Sequence, residues 1–552
     1  MNQTETSAER RGEGIVLLAV FLLSVLLRFF FANQRATVSP DGAVYGLLAR
    51  KFLDQGFYES LHVYWSPLYP TLTGVFGSFI DDLEQAGKTA SVFCGAALII
   101  PVYLLGKRFY GRRVATFAAM LVAFYPPLIE SSSEMLSEAL YTLIFACMIL
   151  FGWSALTNRR AVDYATLGAS LALLYLTRTE AYLYVFVFVL LSGVVSLMPA
   201  DAKNLFLAGR NCAILLGTFF VIASAYLAFV HDQTGRWSFG LRGVNVCYAG
   251  GTRLEMHKID ALTGDTPKNL LVAEGRPKTV RSQLPARVFS CLGTWNLDKV
   301  AKLLVGTVER LYKVYRTYQP TLLPALVIFF AAVGLVGAPW DRRRLDKEVY
   351  LSFLVLSTIL GYSIIHVIER YLLAIIPVFL VWASAGILRF DVWGEQTVLQ
   401  SLGYRLRGRW LFAAAGALAL LLSFLPSYYK ILTIEDTKIE AVAHKETGVW
   451  SARHLGEGLV IMSTKPYVAF YGKGRHLYLP NEDYSRIMEY AQRKGVDVLV
   501  VDDDGIVADA PQLEFLLDES KAPDPLVPVY KNTRGNKKII LYKIGKSRVD
   551  SS

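Results

Sequence analysis

The sequence predicts a polytopic α-helical membrane protein with about eleven transmembrane helices and a C-terminal soluble α/β domain. Two observations carry this reading. Hydrophobic residues make up 53% of the 552, which is more apolar surface than one soluble core can hide. Runs of about 20 apolar residues, the length that crosses the hydrocarbon core as a helix, recur from Ile15 to about Leu425 and then stop.

In chain order, spans are expected at 15–32, 87–106, 114–129, 137–156, 164–177, 181–198, 211–230, 321–338, 349–365, 371–388 and 410–427. Arg10 and Arg11 precede the first span, which lacks a small-residue cleavage site and reads as a retained helix rather than a signal peptide. Following the spans alternately puts KRFYGRR (107–113), NRR (158–160), DRRRLDK (341–347) and YRLRGR (404–409) on one side. A side dense in Lys and Arg is cytoplasmic. The opposite face receives an outer loop at 33–86, the short loop after Pro127, a long loop at 231–320 and the tail. The expected setting is a bacterial or archaeal plasma membrane, with the working face outside the cytoplasm and the lipid bilayer itself as a partner.

The net charge of +11 would suit nucleic acid, but much of the excess sits in the cytoplasmic connections, where it orients helices. No nucleic-acid partner is expected. Cys94, Cys147 and Cys212 fall in spans, where a thiol packs. Cys247 and Cys291 share the long outer loop, either as a disulfide or as two thiols. The loop is too long for a mere connector, and its cationic stretch VAEGRPKTVRSQLPARV reads as a lipid-headgroup contact or part of an active site.

Residues 1–434 are thus expected to form the membrane domain and 435–552 a separate extracytoplasmic domain. In the tail, LVIMST, HLYLP, VDVLVVDDD and KKIILYKI read as strands and SRIMEYAQRKG as a helix. LVVDDDG ends a strand with Asp502 and Asp504, either a strand-end turn or a pair that holds a divalent metal, as in soluble nucleotide-sugar transferases. The sequence requires no cofactor and leaves a divalent metal open.

The outward face carries the acids. In VSPDGAVYGLLARKFLDQG (38–56), Ser39 can cap a helix, Pro40 suits its first position, Asp41 lies in the first turn and Gly56 ends it. Asp41 is then either a charge that complements the helix dipole or a catalytic group. The helix looks amphipathic enough to lie along the membrane surface. In PPLIESSSEMLSEALYTLI, Glu130, Glu134 and Glu138 are four apart and share one face if the segment is helical. Acids at a helix start are ordinary, whereas acids at membrane depth are costly and tend to be functional.

Lys88, Arg178 in LTRTEAY and Arg370 in HVIERYLL are the accompanying cations. Each is a phosphate binder, a snorkelling anchor, or a partner for a nearby acid, Arg178 for Glu180 and Arg370 for Glu369. His62, Trp65 and Tyr69, with Tyr45 and Glu369, are candidates for a sugar or acceptor pocket; the aromatics also suit the membrane interface.

Carboxylates beside phosphate-binding cations suit a transfer in which a lipid phosphate departs. The carboxylate takes the proton of an attacking hydroxyl, and Lys and Arg hold the charge growing on the phosphate. The pieces PDGAVY, HVYWSPLYPTL, GKTASVFCGAALIIPVYLLGKRFYGRRVA, SEMLSEALYTLI, LYLTRTEA and HVIERYLLAIIP follow one another over roughly residues 15–390. In that order the chain resembles the membrane glycosyltransferases of the GT-C superfamily, in particular the protein O-mannosyltransferases (glycosyltransferase family 39) and the aminoarabinose transferases that modify lipid A. The resemblance implies an inverting enzyme that takes a sugar from a polyprenyl phosphate and gives it to an extracytoplasmic glycolipid, polysaccharide or protein. It implies Asp41 as base or acceptor-orienting acid, Glu138 or else Glu134 at the second acidic position, and Lys88 and Arg370 at the lipid phosphate. Gly42 departs from the pattern, since many members carry Asp-Glu where this chain has Asp-Gly. The alternative outside enzymes is a transporter or flippase of a lipid-linked molecule; it would show matched halves with broken helices, and the sequence contains no internal repeat.

Overall fold

The computed structural model describes residues 7–196, 202–241, 257–259, 264–271, 297–313, 316–317, 322–337, 339–365, 368–394, 396–397, 401, 411–433 and 439–545. Cys247, Cys291 and the cationic stretch of the long loop lie outside the described residues. The chain divides into two compact units, one of Met1–Gln34, Lys88–Ala223 and Asn296–Thr433, the other of Arg35–Gly87, Ser224–Trp295 and Ile434–Ser552.

The first unit is helical, and the protein is a multi-pass membrane protein. Six described helices are long and apolar enough to cross a bilayer: Gly12–Gln34, Leu83–Tyr110, Glu138–Asn158, Phe206–Thr234, Glu369–Gly394 and Leu411–Thr433. A seventh is added if Arg112–Phe124 and Pro126–Ser132, bent by 55°, are one span. Length and charge separate this number from the eleven stretches read in the sequence, each of which falls on a described helix. Ala161–Thr177, Thr179–Val195 and Ala325–Val336 are 10–17 residues long; 17 residues rise only about 26 Å against a core of about 30 Å. Arg342–Ile365 is long but begins RRRLDKE.

The 55° bend has a readable cause. Pro126 and Pro127 cannot donate to the carbonyls of Val122 and Ala123 four residues back. The buried Arg28 guanidinium donates to those two carbonyls instead, at 3.0 and 3.2 Å. Close approach elsewhere depends on glycine. A Cβ on Gly334 would lie 1.9 Å from the Trp382 carbonyl, and one on Gly386 would lie 1.8 Å from that of Phe330. Helices Ala325–Val336 and Ile376–Gly394 therefore meet backbone to backbone, as small residues allow in a membrane.

The second unit is built on a five-stranded sheet with strands β1 (Val460–Ser463), β2 (Arg475–Tyr478), β3 (Val498–Asp502), β4 (Leu526–Arg534) and β5 (Lys537–Ile544), in the order β2-β1-β3-β5-β4. β1, β2 and β3 are parallel, while β5 runs antiparallel to both β3 and β4. Strand alternation sorts the core into two layers. Val498 and Val500 face Ala443 of helix Ile439–Leu455, whereas Leu499 and Val501 face Ile487, Met488 and Ala491 of helix Tyr484–Lys494.

The tail does not pack by itself. Lys445 Nζ pairs with Glu84 Oε2 at 2.8 Å, the Tyr471 hydroxyl donates to the same carboxylate at 3.1 Å, and Arg50 Nη2 donates to the Phe470 carbonyl at 3.0 Å. Helix Pro40–Gln55 buries every residue from Gly42 to Ala49. Over that stretch it is enclosed by protein, with the Phe470 ring filling the space beside Gly46.

His476 on β2 is buried with its Nε2 3.1 Å from the Ser463 hydroxyl. Burial pushes its pKa down to about 3 from an ordinary 6.5. A neutral buried imidazole stabilises the fold fully above about pH 6.5, and that stability is lost as pH falls toward 3. By pH 4.5 the loss is about 3 kcal/mol. Melting temperature measured from pH 8 to pH 4.5 is expected to decline less steeply in His476→Gln than in the wild type; equal slopes would assign the acid sensitivity to other groups.

Candidate functional site

In the helical unit, Glu138 opens helix Glu138–Asn158 and is buried. Two guanidinium groups distant in sequence converge on it. Arg178 Nη1 lies 3.2 Å from Glu138 Oε1, and Arg370 Nε lies 3.5 Å from the same oxygen. Arg178 also holds Glu180 through its Nε at 2.8 Å. It stacks on aromatic faces, 4.0 Å from the Tyr371 ring centroid and 5.6 Å from that of Tyr141. Two atoms of this cluster are buried without a hydrogen-bond partner: Glu138 Oε2 and Arg178 Nη2. A buried charged atom left unpaired is costly, so the cluster retains hydrogen-bonding capacity for a further polar group.

The local chain explains why Glu138 is singled out. Glu130 ends up in helix Pro126–Ser132, Glu134 in the bends that follow, and Glu138 at the start of the next helix. The continuous acidic stripe expected from the four-residue spacing is therefore not formed. Ser132 and Ser133 hydroxyls donate to the carbonyls of Leu128 and Ile129, at 2.6 and 2.7 Å. Such bonds compete with the helix ladder and help end the helix. Lys88, also buried, lies one turn before Ser91, whose hydroxyl donates to the Leu136 carbonyl at 3.3 Å. Glu369 and Arg370 stand together in the 3-10 turn Glu369–Ile375.

In the second unit, helix Pro40–Gln55 starts as its sequence suggests. The Ser39 hydroxyl accepts from the Gly42 amide at 3.2 Å, Pro40 occupies the first turn with Asp41, and Gly56 ends the helix at φ 91°. One turn on from Asp41, Tyr45 packs edge-on to Trp65 and Tyr69, with ring centroids 5.4 and 5.1 Å away. His62 Nδ1 accepts from the backbone amides of Tyr64 and Trp65 at 3.1 and 3.3 Å. A neutral His62 thus carries its proton on Nε2. All four pocket candidates here are buried, and Tyr45, Trp65 and Tyr69 form one aromatic cluster.

Tyr478, at the end of β2, was not visible as a site residue in the sequence. Burial first, and then the charge of Asp41, push its hydroxyl well above its ordinary range. Lys268 Nζ sits 4.7 Å above the same ring. Asp502 and Asp504, by contrast, do not converge on one point: Asp502 caps the following helix by accepting from the Gly505 amide at 2.8 Å, while Asp504 pairs with Lys537. The strand-end turn is the observed arrangement.

The family described as dolichyl-phosphate-mannose-protein mannosyltransferase matches residues 65–235, under half of the chain. No curated protein sequence matches. Among solved structures, ArnT from Cupriavidus metallidurans, bound to undecaprenyl phosphate, is similar at 14% identity with a TM-score of 0.55, over 96% of this chain and 98% of that one. The archaeal oligosaccharyltransferase AglB from Archaeoglobus fulgidus, in complex with an inhibitory peptide and a dolichol-phosphate, is similar at 13% identity with a TM-score of 0.54, over 99% of this chain and 75% of that one. The chain has the GT-C fold. The chain shares the fold of these structures along nearly its whole length, and the family match spans Trp65, Tyr69, Lys88, Glu134, Glu138 and Arg178.

Proposed function

We propose that this GT-C chain is an inverting glycosyltransferase that moves a sugar from a polyprenyl-phosphate donor to an acceptor outside the cytoplasm. The observation that carries the reading is the pair of buried Glu138 and Arg178, met by the part-exposed Arg370, with two charged atoms left unpaired in an apolar bundle. Charges at such depth need a polar ligand or a partner. In this reading Asp41 accepts the proton of the attacking hydroxyl, whose oxygen bonds to the anomeric carbon as that carbon's bond to phosphate breaks. The leaving phosphate keeps the electron pair, and its added negative charge is met by Lys88 and Arg370. Arg178, held by two carboxylates through Nη1 and Nε and stacked on two rings, positions Glu138 in this reading.

The buried aromatics Tyr45, Trp65 and Tyr69 and the His62 ring supply faces and a donor for a sugar or acceptor. The shorter and charge-led helices complete about eleven spans, and the sheet and its helices lie outside the cytoplasm. Hexosyl or pentosyl preference and acceptor class follow from assay. Purified protein is expected to transfer label from at least one member of a panel of polyprenyl-phosphate sugars to total envelope acceptors. Failure with every donor, together with uptake of a lipid-linked sugar into vesicles, would replace transfer with transport.

A further inference from the structure

Asp502 and Asp504 do not converge, but Asp502 belongs to a different set of donors. Asp502 is the last residue of β3, next to the carboxyl end of β1, its parallel neighbour. Helix Ile439–Leu455 crosses that edge and brings Glu440 and His444, one turn apart, onto it. His444 Nε2 lies 3.6 Å from Glu440 Oε1 and 3.7 Å from Asp502 Oδ2. One donor atom from each of the three residues falls within 4.8 Å of the others.

Those separations are too long for N–H···O bonds, and both ring nitrogens of His444 are without a hydrogen-bond partner although the residue is 0% exposed. A cation about 2.0–2.1 Å from each of three donors in tetrahedral geometry would separate them by about 3.3–3.4 Å. The observed spacing is a few tenths wider, which small side-chain movements close.

Asp502 is held ready by its surroundings. The Thr464 hydroxyl donates to its Oδ1 at 2.8 Å and the Gly505 amide to its Oδ2 at 2.8 Å. Any Cβ at position 505 would fall 2.1 Å from the Thr464 hydroxyl and 2.5 Å from Asp502 Oδ1, so only glycine fits. Lys465 Nζ contacts Glu440 and lies 3.9 Å from Asp502 Oδ2, with its side chain 28% exposed. An ammonium on a flexible stem thus stands at the mouth of the cluster, where it can withdraw to solvent.

We propose that Glu440, His444 and Asp502 bind a divalent transition-metal ion, with Lys465 as the competing cation that occupies the mouth when the metal is absent. One imidazole with two carboxylates suits zinc and its neighbours better than calcium or magnesium, which take oxygen donors in larger number. The bound ion would pin helix Ile439–Leu455 to the ends of β1 and β3, and water would complete its coordination.

The test uses the full-length purified protein, stripped with a chelator and titrated with Zn2+, with Co2+ absorption as a second readout. Wild type is expected to bind one equivalent and to melt at a higher temperature with zinc than without. Lys465→Met is expected to tighten binding at least ~10-fold, since a neighbouring positive charge is removed; a purely structural Lys465 would not do this. His444→Ala is expected to lose the equivalent and the cobalt spectrum. Should that variant not fold, Asp502→Asn, which still accepts from Gly505, is expected to weaken binding in its place. Zinc bound no more tightly by Lys465→Met, an equivalent retained in both ligand variants, or no binding by wild type and Lys465→Met alike would each overturn the proposal.

Discussion

Asp41→Asn is expected to lower the rate of sugar transfer by a factor of about 10²–10⁴, the usual contribution of a positioned general base. The same change removes a first-turn charge next to the Ser39 cap, which is worth only about 0.3–1 kcal/mol to the helix. The two roles of Asp41 therefore predict different results. If it is the base, transfer collapses while melting temperature and donor binding hardly move. If it is only a helix-start charge, melting temperature falls slightly and transfer stays near wild type. Full activity in Asp41→Asn would turn the search for the base to Glu138 and Glu134. The measurement is single-turnover transfer from the donor found active in the panel, with binding of that donor measured in parallel.

Arg178→Met is expected to give the largest loss of stability. Its guanidinium is 2% exposed and serves two carboxylates, Glu138 at 3.2 Å and Glu180 at 2.8 Å. Removing one partner of a buried ion pair costs about 3–5 kcal/mol, because the remaining charge stays buried and unpaired. The variant should yield little monodisperse protein and melt well below wild type. Neutralising the stranded acids in the triple variant Arg178→Met, Glu138→Gln, Glu180→Gln should restore much of the melting temperature but not transfer. Arg370→Ala gives the contrasting case. Its side chain is 30% exposed and lies 3.5 Å from Glu138 and over the Tyr371 ring, so transfer should fall while the fold persists. A stable, monodisperse Arg178→Met would show that this network contributes nothing to holding the bundle.

Much of the local structure around the candidate residues was legible in the sequence because its signals are local. Ser39, Pro40, Asp41 and Gly56 define a helix start and stop within 18 residues, and the helix runs between them. The pairing of Arg178 with Glu180 joins residues two apart. Where the sequence reading failed, a nonlocal contact or a competing local bond had intervened. The stripe of Glu130, Glu134 and Glu138 required an unbroken helix, and Ser132 and Ser133 between them bond back to the carbonyls of Leu128 and Ile129. Strand β4 escaped notice because LVPVYKNTR mixes a proline and four polar or charged residues; it forms as an edge strand with an irregularity between Pro528 and Tyr530, where such residues are tolerated.

The sequence by itself determined the membrane class, the positions of the apolar helices, four of the five strands and the caps of the Asp41 helix. These depend on hydrophobic periodicity and on turn chemistry, which act within a few residues. Only the tertiary structure decided that Arg178 and Arg370 meet at Glu138, that Arg28 serves the carbonyls freed by Pro126 and Pro127, and that Asp502 faces His444 and not Asp504. Each of these is a charge or donor seeking a partner inside a low-dielectric interior. Which partner it finds depends on how separate helices and strands pack, and a pattern along one chain segment carries no record of that.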